Sequence, residues 1–349
     1  MKKIKVLMIG PARDVKGGIT SVVDNYYEYG LDKIVDLKYI ETINDKGKIS
    51  KFISEKKGYM EFKKYIDEYD IVHIHMASRR SAFRKCKYIQ MAKKKEKKII
   101  VHVHGAEFKK FFEKCNSKQQ KYIKETLNLS NVIIALSEEW KEYLKNLVDE
   151  EKIRVVYNAI MIPEDFEKDL STKKILFLGR IGKRKGIYDL LDVIEELVRK
   201  FPDVKLYVGG DGEIKKFKQI LSEKNIESNV TYVGWICGKE KEKLLRNCSI
   251  YVLPSYNEGM PMSLIEGMAY KNVAISTDVG GIPKVINNME NGILIKPGDK
   301  EKLLNSLNNV LNDENLRRKL SSSARNTVCN NFNIEKNVEN LIKIYNGLI

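Results

Sequence analysis

Short apolar runs alternate with helical patterns along this whole chain, and that alternation restricts it to few folds. The runs fall at residues 3–10, 35–40, 71–75, 99–104, 132–136 and 154–156, then at 174–178, 205–208, 230–233, 249–253, 273–276 and 292–295. Each is short and apolar enough for one buried strand. Helical spacing follows several of them, as from Ile187 to Phe201, where Leu190, Leu191, Ile194, Leu197 and Val198 share the inner side. Strands alternating with helices in this way predict α/β architecture with doubly wound parallel sheets. A chain of 349 residues divides into about two domains, each with its own core. Periodicity lapses and charge rises over residues 158–173, which places a linker there. The expected domains are 1–165 and 166–333, with an amphipathic last helix from Ile334 to Leu348.

The second half turns on Tyr251 to Tyr270, YVLPSYNEGMPMSLIEGMAY. An apolar run ends at Pro254-Ser255, a polar turn follows at Asn257-Glu258-Gly259, and Pro261 stands where a first helical residue would. A short helix begins at Met262. Strand, tight loop and helix form the junction at which open α/β sheets bind ligands. Gly259 lets a ligand approach the backbone, and the amides of Met260, Met262 and Ser263 around Pro261 can receive an anion. Glu266, inside the helix, can accept from ribose hydroxyls, and Glu258, in the loop, from those of a sugar. Taken singly, they read as a solvated loop residue and an ordinary helix residue; the surrounding pattern singles them out.

The spacing Glu258-x7-Glu266 in NEGMPMSLIEGMA resembles the signature of the retaining family-4 glycosyltransferases, which have the GT-B fold. Further matching elements are Gly179-Arg180-x4-Lys185-Gly186, Gly209-Gly210-Asp211-Gly212, Val233-Gly234-Trp235 and Thr277-Asp278-Val279-Gly280-Gly281-Ile282-Pro283. The resemblance covers the second half well and the first half more loosely. It implies two Rossmann-like domains facing a central cleft, with the terminal helix crossing back to the first.

In the first half, Gly17-Gly18 opens a helix from about Ile19 to Tyr29, an arrangement that suits phosphate. The resemblance implies that such a loop faces the donor's phosphates. Residues 41–56 are polar and read as a mobile loop. All four histidines, His73, His75, His102 and His104, lie on two neighbouring runs. Alternation puts each pair on one face of its strand. Metal binding has no Cys or clustered Asp to support it, and His73 and His102 read as satisfied core residues. His104 ends its strand at the carboxyl edge, where the resemblance implies a His that meets the transferred sugar. His75 ends its own strand similarly and is placed with the acceptor.

From Arg79 to Lys124 there are sixteen basic and three acidic residues, interleaved with Tyr88, Ile89, Met91, Phe108, Phe111 and Phe112. One reading is a solvated helical face. The other is a patch for acidic headgroups and a phosphate-bearing lipid acceptor, with Arg79, Arg80 and Arg84 supplying forked donors. The net charge of +16 fits phosphorylated substrates, an anionic membrane face or nucleic acid. The five cysteines are scattered without a C-x-x-C pair, as in free thiols of a reducing compartment. Met1-Lys2-Lys3-Ile4 imitates the basic start of a signal peptide, but Lys5 interrupts the apolar run and no cleavage site follows. No run approaches a membrane span. The expected location is cytoplasmic, peripheral on the inner membrane face.

The expected activity is retaining transfer of a hexose from a UDP- or GDP-linked sugar to a saccharide acceptor, polyprenyl-diphosphate-linked, in surface polysaccharide or glycolipid assembly. With no Asp-x-Asp in a metal-loop context, Arg180 and Lys185 take the role of a metal at the leaving diphosphate, so no cofactor is expected. A front-face route, in which the leaving phosphate takes the acceptor's proton, fits the lack of a further carboxylate. Two rivals remain: a nucleotide-sugar epimerase of similar fold, and a basic nucleic-acid-binding protein. The second lacks any zinc finger, RNP motif or basic zipper.

Overall fold

A computed structural model describes residues 3–349; Met1 and Lys2, the basic start read above, lie outside the described residues. The chain divides into two units, one of residues 1–161 with 333–349 and one of residues 162–332.

The first unit is built on a sheet of six strands: β1 (Lys5–Gly10), β2 (Asp36–Glu41), β3 (Ile71–Met76), β4 (Lys98–Val103), β5 (Val132–Ala135) and β6 (Ile153–Val155). Their order is β2-β1-β3-β4-β5-β6, all parallel. Helices on the sheet faces leave the inner strands with nearly unbroken apolar sequence, and β3 is buried along its whole length. The last helix, Ile334–Asn346, belongs to this unit. Its Asn337 Nδ2 donates to the Tyr157 carbonyl at 2.5 Å, and its Tyr345 hydroxyl meets His73 Nδ1 at 2.7 Å.

The second unit repeats the plan with β7 (Lys174–Leu178), β8 (Lys205–Gly209), β9 (Val230–Gly234), β10 (Ile250–Leu253), β11 (Val273–Thr277) and β12 (Ile293–Ile295). The order is β12-β11-β10-β7-β8-β9, again all parallel. From β7 the chain winds outward through β8 and β9, then returns to the other side of β7 as β10. The reversal opens the space beyond the carboxyl ends of β7 and β10, where doubly wound sheets hold ligands.

Two expectations need correction. Much of the segment read as a loop over 41–56 is helix: Lys48–Tyr65 is one continuous helix. Gly58 lets it sit close to the chain, since a Cβ there would come 2.4 Å from the Glu41 carbonyl oxygen. Apolar side chains stand on both its inner and outer sides, which hides the one-sided periodicity that marks an amphipathic helix. The patch from Arg79 to Lys124 is also not one continuous surface. Tyr88, Ile89 and Phe108 are core residues, and Lys85 is buried with its Nζ 2.7 Å from Thr42 Oγ1. Burial holds that ammonium's pKa well below its ordinary value.

Candidate active site at the strand ends

In the second unit, three loops meet beyond the carboxyl ends of the central strands. The loop after β7 carries Gly179, Arg180, Lys185 and Gly186. The loop after β10 carries Pro254 to Pro261. The loop after β11 carries Asp278 to Gly281. Two of their glycines are fixed by packing. Gly186 has a left-handed φ of 70°, and a Cβ there would lie 1.9 Å from the Pro254 carbonyl oxygen. Gly280, with φ of 56°, would place a Cβ 1.9 Å from the Glu258 carbonyl oxygen. A side chain at either position would push the Glu258 loop away. The Gly281 amide donates to the Gly259 carbonyl at 2.6 Å and ties these loops together.

Glu258 is only 5% exposed, although it sits in a polar turn. Its Oε1 accepts from Ser255 Oγ at 2.6 Å and lies 2.5 Å from Lys185 Nζ. Arg184 donates from Nη1 to the Asn257 carbonyl at 3.0 Å and lies 3.8 Å from Glu258 Oε2. Arg180 is exposed, and among the described residues no ion pair or hydrogen bond engages its guanidinium. One cation of the motif is thus bound to a carboxylate and the other is open.

Pro261 is the cap residue of the helix Met262–Ala269 rather than its first helical residue. The helix itself opens at Met262, as expected. The amides of Met262 and Ser263 begin the first turn, where the helix supplies no acceptor. Ser263 Oγ and Tyr251 OH both donate to the Leu178 carbonyl, at 3.1 and 3.2 Å, which pins this helix start to the end of β7. Glu266 stands one turn further in and pairs with Lys241 Nζ at 2.8 Å. Sequence reasoning missed Ser255 and Lys241. Ser255 was legible only as a strand stop, and Lys241 lies in the run KEKEK, where nothing distinguishes one lysine from the next.

In the first unit, the histidines form one cluster. His75 and His102 are opposite each other across β3 and β4. The His102 and His104 ring centroids are 4.0 Å apart, and those of His73 and His75 are 4.7 Å apart. His75 Nδ1 meets His104 Nε2 at 2.8 Å. The reading of His73 and His102 as satisfied core residues is corrected: His73 Nε2, His75 Nε2 and both ring nitrogens of His102 are buried without a partner. Burial pushes the His73 and His104 pKa values down to about 3 and those of His75 and His102 well below the ordinary range. The rings are neutral at pH 7. Ring nitrogens of His73, His75 and His102 lie within 4.8 Å of one another.

Gly17 and Gly18 open the helix Gly18–Tyr29, and a Cβ on either would meet nothing within 4 Å. Arg79 and Arg80 are exposed beyond β3, with Arg79 Nη2 2.8 Å from Glu107 Oε2. Arg84 departs from expectation. It is 9% exposed and faces Glu55 and Tyr88, so it presents no guanidinium to an acceptor.

Two families match this chain: "Glycosyl transferases group 1" over residues 158–327 and "Glycosyltransferase Family 4" over residues 29–162. The poly(ribitol-phosphate) alpha-N-acetylglucosaminyltransferase of Staphylococcus aureus is 28% identical over 233 residues, covering 66% of this chain and 47% of that protein. The chain spans less than two thirds of the length of the curated relatives it matches. Sucrose-phosphate synthase from Thermosynechococcus elongatus superimposes with a TM-score of 0.85 at 18% identity, covering 99% of both chains. Anabaena HepE, solved in complex with UDP, gives 0.79 at 15% identity, covering 99% of this chain and 100% of its own. At these identities the likeness shows the fold, two Rossmann-like halves of the GT-B type.

Proposed function

The chain belongs to the family-4 glycosyltransferases, and from that premise we propose that it transfers a hexose with retention from a nucleotide-diphospho-sugar to a saccharide acceptor in surface polysaccharide or glycolipid assembly. One observation carries the reading. At the point where the strand order of the second unit reverses, an open Arg180, the Lys185–Glu258 pair and a helix start share the loops after β7 and β10.

In this reading the diphosphate lies against Arg180, Lys185, the loop amides of Gly259 and Met260, and the helix start at Pro261 and Met262. Arg180 gives it forked donors and Lys185 a point charge. Glu266 accepts from the ribose hydroxyls and Glu258 from the sugar. As the anomeric C–O bond to the diphosphate breaks, negative charge grows on the leaving oxygen, where these cations stand. The acceptor oxygen bonds the anomeric carbon on the same face, and its proton passes to the departing phosphate. Glu258 stabilises positive charge at the anomeric carbon. No metal is required, because the cations that would replace it come from the loop after β7.

The first unit supplies the remaining groups. Gly17 and Gly18 leave room for donor phosphates. His104 positions the sugar as a neutral ring whose Nε2 is held by His75, which leaves Nδ1 for a hydroxyl. His75 is thereby a positioning residue, in addition to its expected place beside the acceptor. Arg79 and Arg80 meet the phosphate of a polyprenyl-diphosphate-linked acceptor. The loop after Trp235 is the candidate for reading the UDP or GDP base. The enzyme is cytoplasmic and peripheral on the inner membrane face. No helix among the described residues is long and apolar enough to cross a membrane.

The test is donor turnover with UDP- and GDP-sugars by Glu258→Ala and Arg180→Ala. Each is expected to lose at least about a hundredfold in kcat/KM, by analogy with the loss of one oxyanion-stabilising donor. Near-wild-type turnover in both removes the assignment. Release of an altered sugar nucleotide without acceptor would favour the epimerase.

A further inference from the structure

The helix Lys48–Tyr65 presents to solvent a face that the fold of the first unit does not use. On its inner side Phe62 is fully buried, and Tyr59 and Tyr65 pack on the core of the unit. On its outer side stand Ile49, Phe52, Ile53 and Met60, which are 78%, 59%, 59% and 70% exposed. Their spacing puts them on one helical face. Lys56, Lys57, Lys63 and Lys64 are exposed along the same side, and Lys56 Nζ lies 4.5 Å from the centre of the Phe52 ring. Both carboxylates of the helix are half-buried: Glu55 faces Arg84, and Glu61 pairs with Lys38 at 3.5 Å.

Ten large apolar side chains are exposed among the described residues, so four on one helix face is a concentration that folding does not account for. What covers such a face must accept both apolar anchors and a row of ammonium groups. A second copy of the same face would set lysine against lysine, with no exposed carboxylate to relieve it. An anionic bilayer meets both demands. Apolar side chains enter the boundary of the acyl chains, lysine stems lie along it, and the ammonium groups reach lipid phosphates. The outward face runs for roughly 22 Å from residue 49 to residue 64, long enough to lie in the interface plane.

We propose that this helix docks the protein on an anionic lipid bilayer, with Phe52, Ile53 and Met60 inserted and Lys56, Lys57, Lys63 and Lys64 against headgroups. The inference deepens the peripheral location proposed above by naming its surface. It stands or falls separately from the nucleotide site, whose Arg180, Lys185, Glu258 and Glu266 belong to the other unit.

The experiment is co-sedimentation with vesicles of phosphatidylcholine with and without phosphatidylglycerol, at low and high salt. Wild-type protein is expected to bind the anionic vesicles, to release with salt, and to bind pure phosphatidylcholine weakly. Phe52→Ser with Ile53→Ser is expected to weaken binding by roughly tenfold or more, and Lys56→Glu with Lys57→Glu to abolish its anionic preference. Because these side chains point outward, both variants should keep the wild-type melting midpoint and nucleotide binding, which separates failure of docking from failure of the donor site. Wild-type protein that ignores anionic vesicles, or variants that bind them as well as wild type, would overturn the proposal. A dimer in solution that the Phe52→Ser, Ile53→Ser variant abolishes would overturn it too, by making the face a contact between copies.

Discussion

Lys185 and Glu258 bind each other across 73 residues of sequence, with the ammonium nitrogen 2.5 Å from the carboxylate oxygen Oε1. The loops after β7 and β10 are thus closed on one another by the two groups assigned to opposite charges of the reaction. On the proposed assignment, a donor entering there would give Lys185 a phosphate and Glu258 a sugar hydroxyl, so substrate contacts would replace the pair rather than add to it.

The pair makes a stability prediction. Both side chains are largely buried, so Lys185→Met leaves a carboxylate supported by Ser255 and the more distant Arg184 and is expected to cost about 3 kcal/mol. Glu258→Gln strands the ammonium in the same way. The double variant should cost less than the sum of the singles, with a coupling of about 1–3 kcal/mol. Urea unfolding of the four proteins reads this directly; strictly additive losses would mean that the pair is not formed.

Gly280→Ala tests the loop packing. Its Cβ would stand 1.9 Å from the Glu258 carbonyl oxygen, on a backbone with φ of 56°. The loops must separate to accept it. Donor affinity is expected to fall at least about tenfold, while strand content by circular dichroism stays unchanged. Unchanged donor affinity would show that the Glu258 loop tolerates the shift.

The histidine cluster predicts acid sensitivity. In the unfolded chain His73 takes up a proton as pH falls through 6.5, whereas in the fold it holds off until about 3. Between those values the unfolded state binds the extra proton. The contribution is complete above 6.5 and falls by about 1.4 kcal/mol per pH unit below it. His75 and His102, depressed in the same direction, add to the loss. Unfolding free energies at pH 7 and pH 5 should therefore differ by about 2 kcal/mol more in wild type than in His73→Leu. Equal differences in the two proteins would place a proton on His73 in the folded state.

The strands were legible because parallel strands covered on both faces are nearly continuous apolar runs, and Val6 to Ile9 or Ile99 to Val103 read no other way. The loops after β7 and β11 were legible as motifs because Gly186, Gly280 and Gly281 answer to backbone atoms that a Cβ would meet at 1.9, 1.9 and 2.5 Å. The helix Lys48–Tyr65 was not, since its outward Ile49, Phe52, Ile53 and Met60 cancel the contrast between faces. Burial of Arg84 and Lys85 was hidden for a different reason: a basic run looks solvated until the helix Arg80–Lys94 is seen to turn these two inward. Pairings such as Lys241 with Glu266 depend on distances between elements, which spacing along the chain does not encode.

The most direct measurement is the melting midpoint of the protein with UDP, GDP and ADP, each with magnesium and with EDTA. A diphosphate held by Arg180, Lys185 and the helix start at Met262 stabilises the fold by mass action, about 2.7 kcal/mol at a hundred times its Kd. The account predicts a rise with one nucleotide in preference to the others, equal with EDTA, and lost in Arg180→Ala. No rise with any of the three, or a rise that only magnesium supports, would contradict it.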